Sequence, residues 1–130
     1  MKNFGKIKNT IHKVLNKFGY QKEFKSARQT YNFLKDYSKN IHAIFHFGEF
    51  ARIYQSFKKF DECFKSNSIG SNAVFKFCLD NNIKLIYSAT SASLGNKGND
   101  KNLSPYAFTK SKNLELLENL KKWFNIKLII

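Results

Sequence analysis

A parallel-sheet α/β fold is the architecture that this 130-residue sequence predicts. Three short apolar runs point to it first: IHAIFHF (41–47), IKLIYSA (83–89) and IKLII (126–130) read as buried strands. The stretches between them carry apolar residues at helical spacing, and each is long enough to cross back over a sheet. The order strand–helix–strand–helix–strand then calls for parallel strands joined by right-handed crossovers.

Taken in order, residues 6–18 (KIKNTIHKVLNKF) place Ile7, Ile11, Val14 and Leu15 on one helical face, and Gly19 follows as a C-cap. Residues 23–38 read as a second helix. The first strand is expected at about 41–47 and ends at Gly48. A helical stretch at about 54–80, with Phe57, Phe60, Phe64, Val74 and Phe77, stops at the turn residues DNN (80–82). The second strand, about 83–88, opens into a polar loop at 90–103. Ser104 then supplies an N-cap and Pro105 a first helical residue. That helix runs to about Phe124 with Leu114, Leu117 and Leu120 as its core stripe, and the third strand occupies 126–130. We expect two parts: a helical segment of uncertain origin over 1–40, and the α/β unit over 41–130.

Composition narrows the function. A hydrophobic content of 42%, with 16% aromatics, supports a packed core and argues against wholesale disorder. No apolar run approaches the roughly 18–20 residues that cross a bilayer, and the basic N-terminus lacks the apolar stretch of a signal peptide. Cys63 and Cys78 are fifteen residues apart, about 20 Å in an unbroken helix and too far for a disulfide. Reduced thiols of a cytoplasmic protein are the reading. The net charge of +14 is compatible with a nucleic-acid surface, but only Arg28 and Arg52 are arginines and the lysines are dispersed. We therefore read against nucleic acid. A basic surface equally attracts a nucleotide diphosphate. His42 and His46 have no acidic or cysteine partners nearby in sequence and read as structural rather than metal-binding.

Chemistry concentrates in SPYAFTKSK (104–112), where Tyr106 and Lys110 stand four apart. The spacing alone decides nothing, because Tyr31–Lys35 and Tyr54–Lys58 share it. Context separates them. Only Tyr106 follows a strand end that delivers hydroxyls, Thr90 and Ser91. Tyrosine and lysine one helical turn apart share a face, and a nearby ammonium lowers a phenol pKa from about 10 towards a useful base. Ligands of parallel sheets bind beyond the carboxyl ends of strands, where the loops GEFARI (48–53) and TSASLG (90–95) lie.

Four ordered segments, IHAIFHFGEFAR, SNSIGSNAVFKFC, KLIYSATSASLG and LSPYAFTKSKNLELL, carry a resemblance to the extended short-chain dehydrogenase/reductase family. Within it, the chain is most similar to the NAD-dependent sugar-nucleotide epimerases and dehydratases, over roughly residues 40–130. The resemblance implies an incomplete Rossmann-like, doubly wound parallel sheet. It implies NAD as cofactor, with NADP left open, and a nucleotide-sugar substrate. Tyr106 would be the general base, Lys110 would bind the nicotinamide ribose and assist the tyrosine, and Thr90 would take the place of the catalytic serine or threonine. Phe47, Gly48, Glu49, Phe50 and Ala51 would line the cofactor, with Asn67 against it.

The chain also departs from the family pattern. No three of its glycines (5, 19, 48, 70, 95 and 98) have the spacing of the family's phosphate-binding turn. The acidic residue that would hold the adenosine ribose has no counterpart. Glu49 replaces a small residue and Leu94 a tyrosine, while Ser93 is small. Ser91 and Ala92 follow Thr90 where dehydratases carry Asp-Glu, so epimerase chemistry at C4 is preferred over dehydration. The expected pattern is the middle of an enzyme: a gene fragment, a degenerate copy, or one half of a split protein. The alternative is a catalytically dead interaction module that pairs with itself or with a partner chain completing the sheet.

Overall fold

The computed structural model describes residues 27–91 and 95–130. The helix expected at 6–18 lies outside the described residues, as do residues 23–26 of the next helix and Ser93 and Leu94 of the polar loop. Helix α1 (Ala27–Lys35) leads through a short 3₁₀ turn (Ser38–Asn40) into strand β1 (Ala43–His46). Helices α2 (Ile53–Lys58), α3 (Phe60–Phe64) and α4 (Ser71–Asp80) come next, then β2 (Lys84–Tyr87). A 3₁₀ segment (Gly95–Asn102), helix α5 (Pro105–Phe124) and strand β3 (Leu128–Ile129) complete the order. The sheet order is β1–β2–β3 and both pairings are parallel, so all three expected strands are present and parallel. Among the described residues no helix is long and apolar enough to cross a membrane.

Burial explains the sheet. Ile44, Leu85 and Leu128 align across the three strands and pack against α4 and α5, joined by the buried Phe75, Phe77 and Leu117. Side chains alternate along a strand, so the neighbouring row Phe45–Ile86–Ile129 points the other way, with Phe45 65% and Ile129 52% exposed. The apolar runs predicted burial on both faces; among the described residues only the helix-covered face has it. Helix α1 joins that covered side through Tyr31, whose ring meets Phe77 edge-on at 5.8 Å and whose hydroxyl donates to Asp80 at 2.7 Å. Cys63 and Cys78 are free and buried, and burial pushes the Cys78 thiol up to about 12.

The expected helical stretch at 54–80 is interrupted. Lys59 (φ −116°, ψ 49°) separates α2 from α3, and Lys65–Gly70 form a π-helical turn before α4. Phe57 and Phe60, which a continuous helix would use as core, stay more than half exposed. Ahead of α4 the buried residues are instead the small or polar Ser56, Cys63 and Asn67. Hydrogen bonds made by Asn67 offset the widened turn, as is common where a π-turn serves a local site.

Two helix ends set the strand starts. Ser104 caps α5 by accepting from the Ala107 amide at 3.0 Å, with Pro105 in the first turn, as the sequence predicts. Asn82 and Asn125 adopt left-handed φ values of 53° and 54°, each just before an isoleucine that enters the core ahead of a strand.

Candidate active site

The carboxyl ends of β1 and β2 and the first turns of α5 meet at one place. The cap at Ser104 fixes the start of α5, which places Tyr106 in the first turn and Lys110 one turn later. The Tyr106 hydroxyl donates to Thr90 Oγ1 at 3.1 Å, and both residues are half-buried. The Tyr106 backbone amide donates to Ser56 Oγ at 3.3 Å, tying α5 to α2.

Lys110 goes inward. Its ammonium donates to the Ser88 carbonyl at the end of β2 and pairs with the Glu49 carboxylate beyond β1; the two side chains are 5% and 4% exposed. The ammonium also lies 4.3 Å from the centre of the Tyr87 ring. Glu49 accepts further hydrogen bonds from Ser71, from Tyr87 at 3.0 Å and from Asn113 at 3.0 Å. A buried ion pair offsets its desolvation only when the remaining lone pairs and protons are satisfied, and here Ser71, Tyr87 and Asn113 donate to Glu49 alongside Lys110. Burial, then the Glu49 charge, hold the Tyr87 phenol well above its ordinary range. Burial lowers the His46 pKa, with Lys110 adding to the effect while Glu49 opposes it, and His46 Nε2 lies 2.9 Å from Ser71 Oγ.

Asn67 is fully buried and clamps the peptide of Phe50. Its Oδ1 accepts from the Phe50 amide at 2.7 Å, its Nδ2 donates to the Phe50 carbonyl at 3.0 Å, and Nδ2 also reaches Thr109 Oγ1 at 3.2 Å. The clamp holds the loop Phe47–Ala51 as a ledge over the strand ends. Phe47 and Ala51 are exposed on it, and a Cβ at Gly48 would meet nothing within 4 Å.

The predicted residues thus fall into two groups. Thr90, Tyr106, Lys110 and Glu49 converge on the strand ends, whereas Asn67 and Phe50 support Phe47, Gly48 and Ala51 from beneath. The two other tyrosine–lysine pairs lie elsewhere: Lys58 sits over the Tyr54 ring at 4.9 Å, and Tyr31 bonds Asp80. Sequence reasoning missed Ser71, Tyr87 and Asn113, which complete the Glu49 shell. Helical spacing carried a signal for two of them, since Asn113 follows Lys110 by three and Ser71 follows Asn67 by four. Among the described residues no group of three or more acidic, histidine or cysteine side chains could hold a metal.

Fold and geometry together define a Rossmann-like protein in which Tyr106 and Thr90 meet beyond the strand ends and Lys110 is paired with Glu49 beside them. The chain belongs to the NAD dependent epimerase/dehydratase family, whose model matches residues 8–130. Solved structures with similar folds include UDP-glucose 4-epimerase from Brucella ovis in complex with NAD (TM-score 0.66, 16% identity, 78% of this chain and 34% of that one). UDP-glucose 4-epimerase from Thermus thermophilus in complex with NAD is another (TM-score 0.69, 14% identity, 84% and 38%). A third is UDP-N-acetylglucosamine 4-epimerase from Methanobrevibacter ruminantium in complex with UDP-N-acetylmuramic acid (TM-score 0.63, 25% identity, 76% and 34%). The chain therefore spans little more than a third of the length of these proteins. No curated protein matches it.

Proposed function

We propose that this chain carries the proton-transfer centre of an NAD-linked nucleotide-sugar 4-epimerase. The Tyr106–Thr90 hydrogen bond at 3.1 Å, poised beyond β2, is the observation that carries the reading. The open ledge at Gly48 and the half-exposed tyrosine fit a flat ring and its ribose. Phe47, Gly48 and Ala51 would line that group, with Tyr106 and Lys110 contributing from α5; Glu49, Phe50 and Asn67 hold the ledge in shape. NAD, when bound, accepts and returns hydride.

Thr90 holds the sugar hydroxyl in line with Tyr106. The Tyr106 oxygen takes the hydroxyl proton as the carbonyl forms, and gives it back when the opposite face of the sugar is reduced. Lys110 is a fixed cation behind the tyrosine, held by Ser88 and balanced by Glu49. Positioned acid–base groups of this kind contribute about 10²–10⁴-fold in rate.

The test is interconversion of UDP-glucose and UDP-galactose, and of their N-acetyl counterparts, by the catalytically competent protein. Activity that survives Tyr106→Phe unchanged would overturn the reading. A second reading, an interaction module with vestigial residues, draws on one observation: Lys110 is committed to Glu49 rather than offered to a ligand. It predicts no turnover in any assembly.

A further inference from the structure

We infer that Glu49 is a positioning residue: it holds the Lys110 ammonium inside the protein, as a fixed charge rather than as a donor to the ligand. Four residues apart on α5, Tyr106 and Lys110 share a helix face. Yet the tyrosine hydroxyl meets Thr90 while the lysine turns inward. The Ser88 carbonyl accepts one ammonium proton, but a neutral acceptor leaves a buried charge unbalanced. Among the described residues Glu49 is the carboxylate that balances it, and the centre of the Tyr87 ring lies 4.3 Å from the ammonium.

Glu49 is itself fixed from several sides. Ser71 of α4, Tyr87 of β2 and Asn113 of α5 all donate to it. A serine hydroxyl has one proton, so Ser71, having given its own to Glu49, accepts from His46 Nε2 at the end of β1, 2.9 Å away. Asn113 also donates to the Asn67 carbonyl, and Asn67 clamps the Phe50 peptide next to Glu49. Backbone and side chain are thus both held. An ammonium, two hydroxyls and an amide converge on one buried carboxylate, so the cradle suits that group whether or not the chain supplies it. The consequence for turnover rests on the proton-transfer reading; the placement of Lys110 does not.

The test compares lysine acylation rates in the full chain, read peptide by peptide by mass spectrometry, for the wild type, Glu49→Ala and Glu49→Gln. In the wild type Lys110 should react about 10²–10³-fold more slowly than the exposed Lys112, because a buried pair must open first. Glu49→Ala should bring the two rates together, with the amide spectrum reporting an intact fold. Added formate, a free carboxylate, should slow Lys110 again, whereas chloride at equal ionic strength should not. Glu49→Gln, which keeps the shape and removes the charge, should also expose Lys110 and decides the matter if Glu49→Ala does not fold. Lys110 as reactive as Lys112 in the wild type, or still protected once the Glu49 charge is gone, would overturn the inference. In the catalytically competent protein, formate should likewise restore the kcat that Glu49→Ala loses, with little change in KM for the nucleotide sugar. A kcat that stays low while Lys110 is protected again would overturn the positioning role. Absence of turnover from the wild type would instead count against the proton-transfer reading, and the acylation rates would still decide where Lys110 lies.

Discussion

Glu49 is the residue through which the site is wired, and its removal is the sharpest test of that wiring. Glu49→Gln leaves the Lys110 ammonium buried beside a neutral amide, and breaking a buried pair from one side costs about 3–5 kcal/mol. Adding Lys110→Met removes the orphaned charge, so the double variant should regain much of that loss in urea denaturation; additive losses would show the pair to be uncoupled. For catalysis, Tyr106→Phe should lower kcat by about 10²–10⁴-fold with the melting curve nearly unchanged, because among the described residues the hydroxyl makes a single hydrogen bond, to Thr90. Tyr31→Phe and Tyr54→Phe should leave kcat intact. The sequence made Tyr106 legible because strand end, cap and spacing agreed there. It left the direction of Lys110 illegible, since an ammonium four residues from a phenol can face ligand or interior, and the partner that decides the matter is 61 positions away.

At the level of elements, the strands and α5 were readable from local signals: apolar runs, a Ser-Pro start and a leucine stripe. The interruption between residues 58 and 71 was not. Its phenylalanines imitate a core stripe, whereas the buried Asn67 and Ser71 are held by hydrogen bonds to Phe50 and Glu49 of a distant loop, which local periodicity cannot see. Two predictions belong here. Ser104→Ala removes the acceptor of the Ala107 amide and should lower stability by about 1 kcal/mol, read as a shift in the urea midpoint. At the end of β1, His46 has a folded pKa below its unfolded value of about 6.5, so the unfolded chain binds its proton more readily. The stabilising term is complete above about pH 6.5 and is lost as pH falls from there through the lower folded pKa. Urea melts between about pH 7.5 and 5.5 should show that slope, and His46→Gln should flatten it.

At the scale of the whole 130-residue chain, the proposed centre is not accompanied by three glycines at the spacing of a turn that would seat a pyrophosphate. Charge-assisted hydrogen bonds contribute about 1.5–3 kcal/mol each, and losing two or three weakens binding by several powers of ten. Calorimetric titration of the 130-residue chain with NAD should therefore show no saturation in the micromolar range; a micromolar dissociation constant would reveal a phosphate site built from other residues. The order β1–β2–β3 has a further consequence, felt before the protein leaves the ribosome. Each strand pairs with the one made just before it, so the sheet can assemble in the direction of synthesis. Leu128 is made 41 residues after Tyr87, a delay of about 2–8 s at about 5–20 residues per second. Through that interval Leu85 and Tyr87 wait for Leu117 and Ile126 to close over them. The nascent chain is thus open to chaperones, and to misassembly, between its second and third strands.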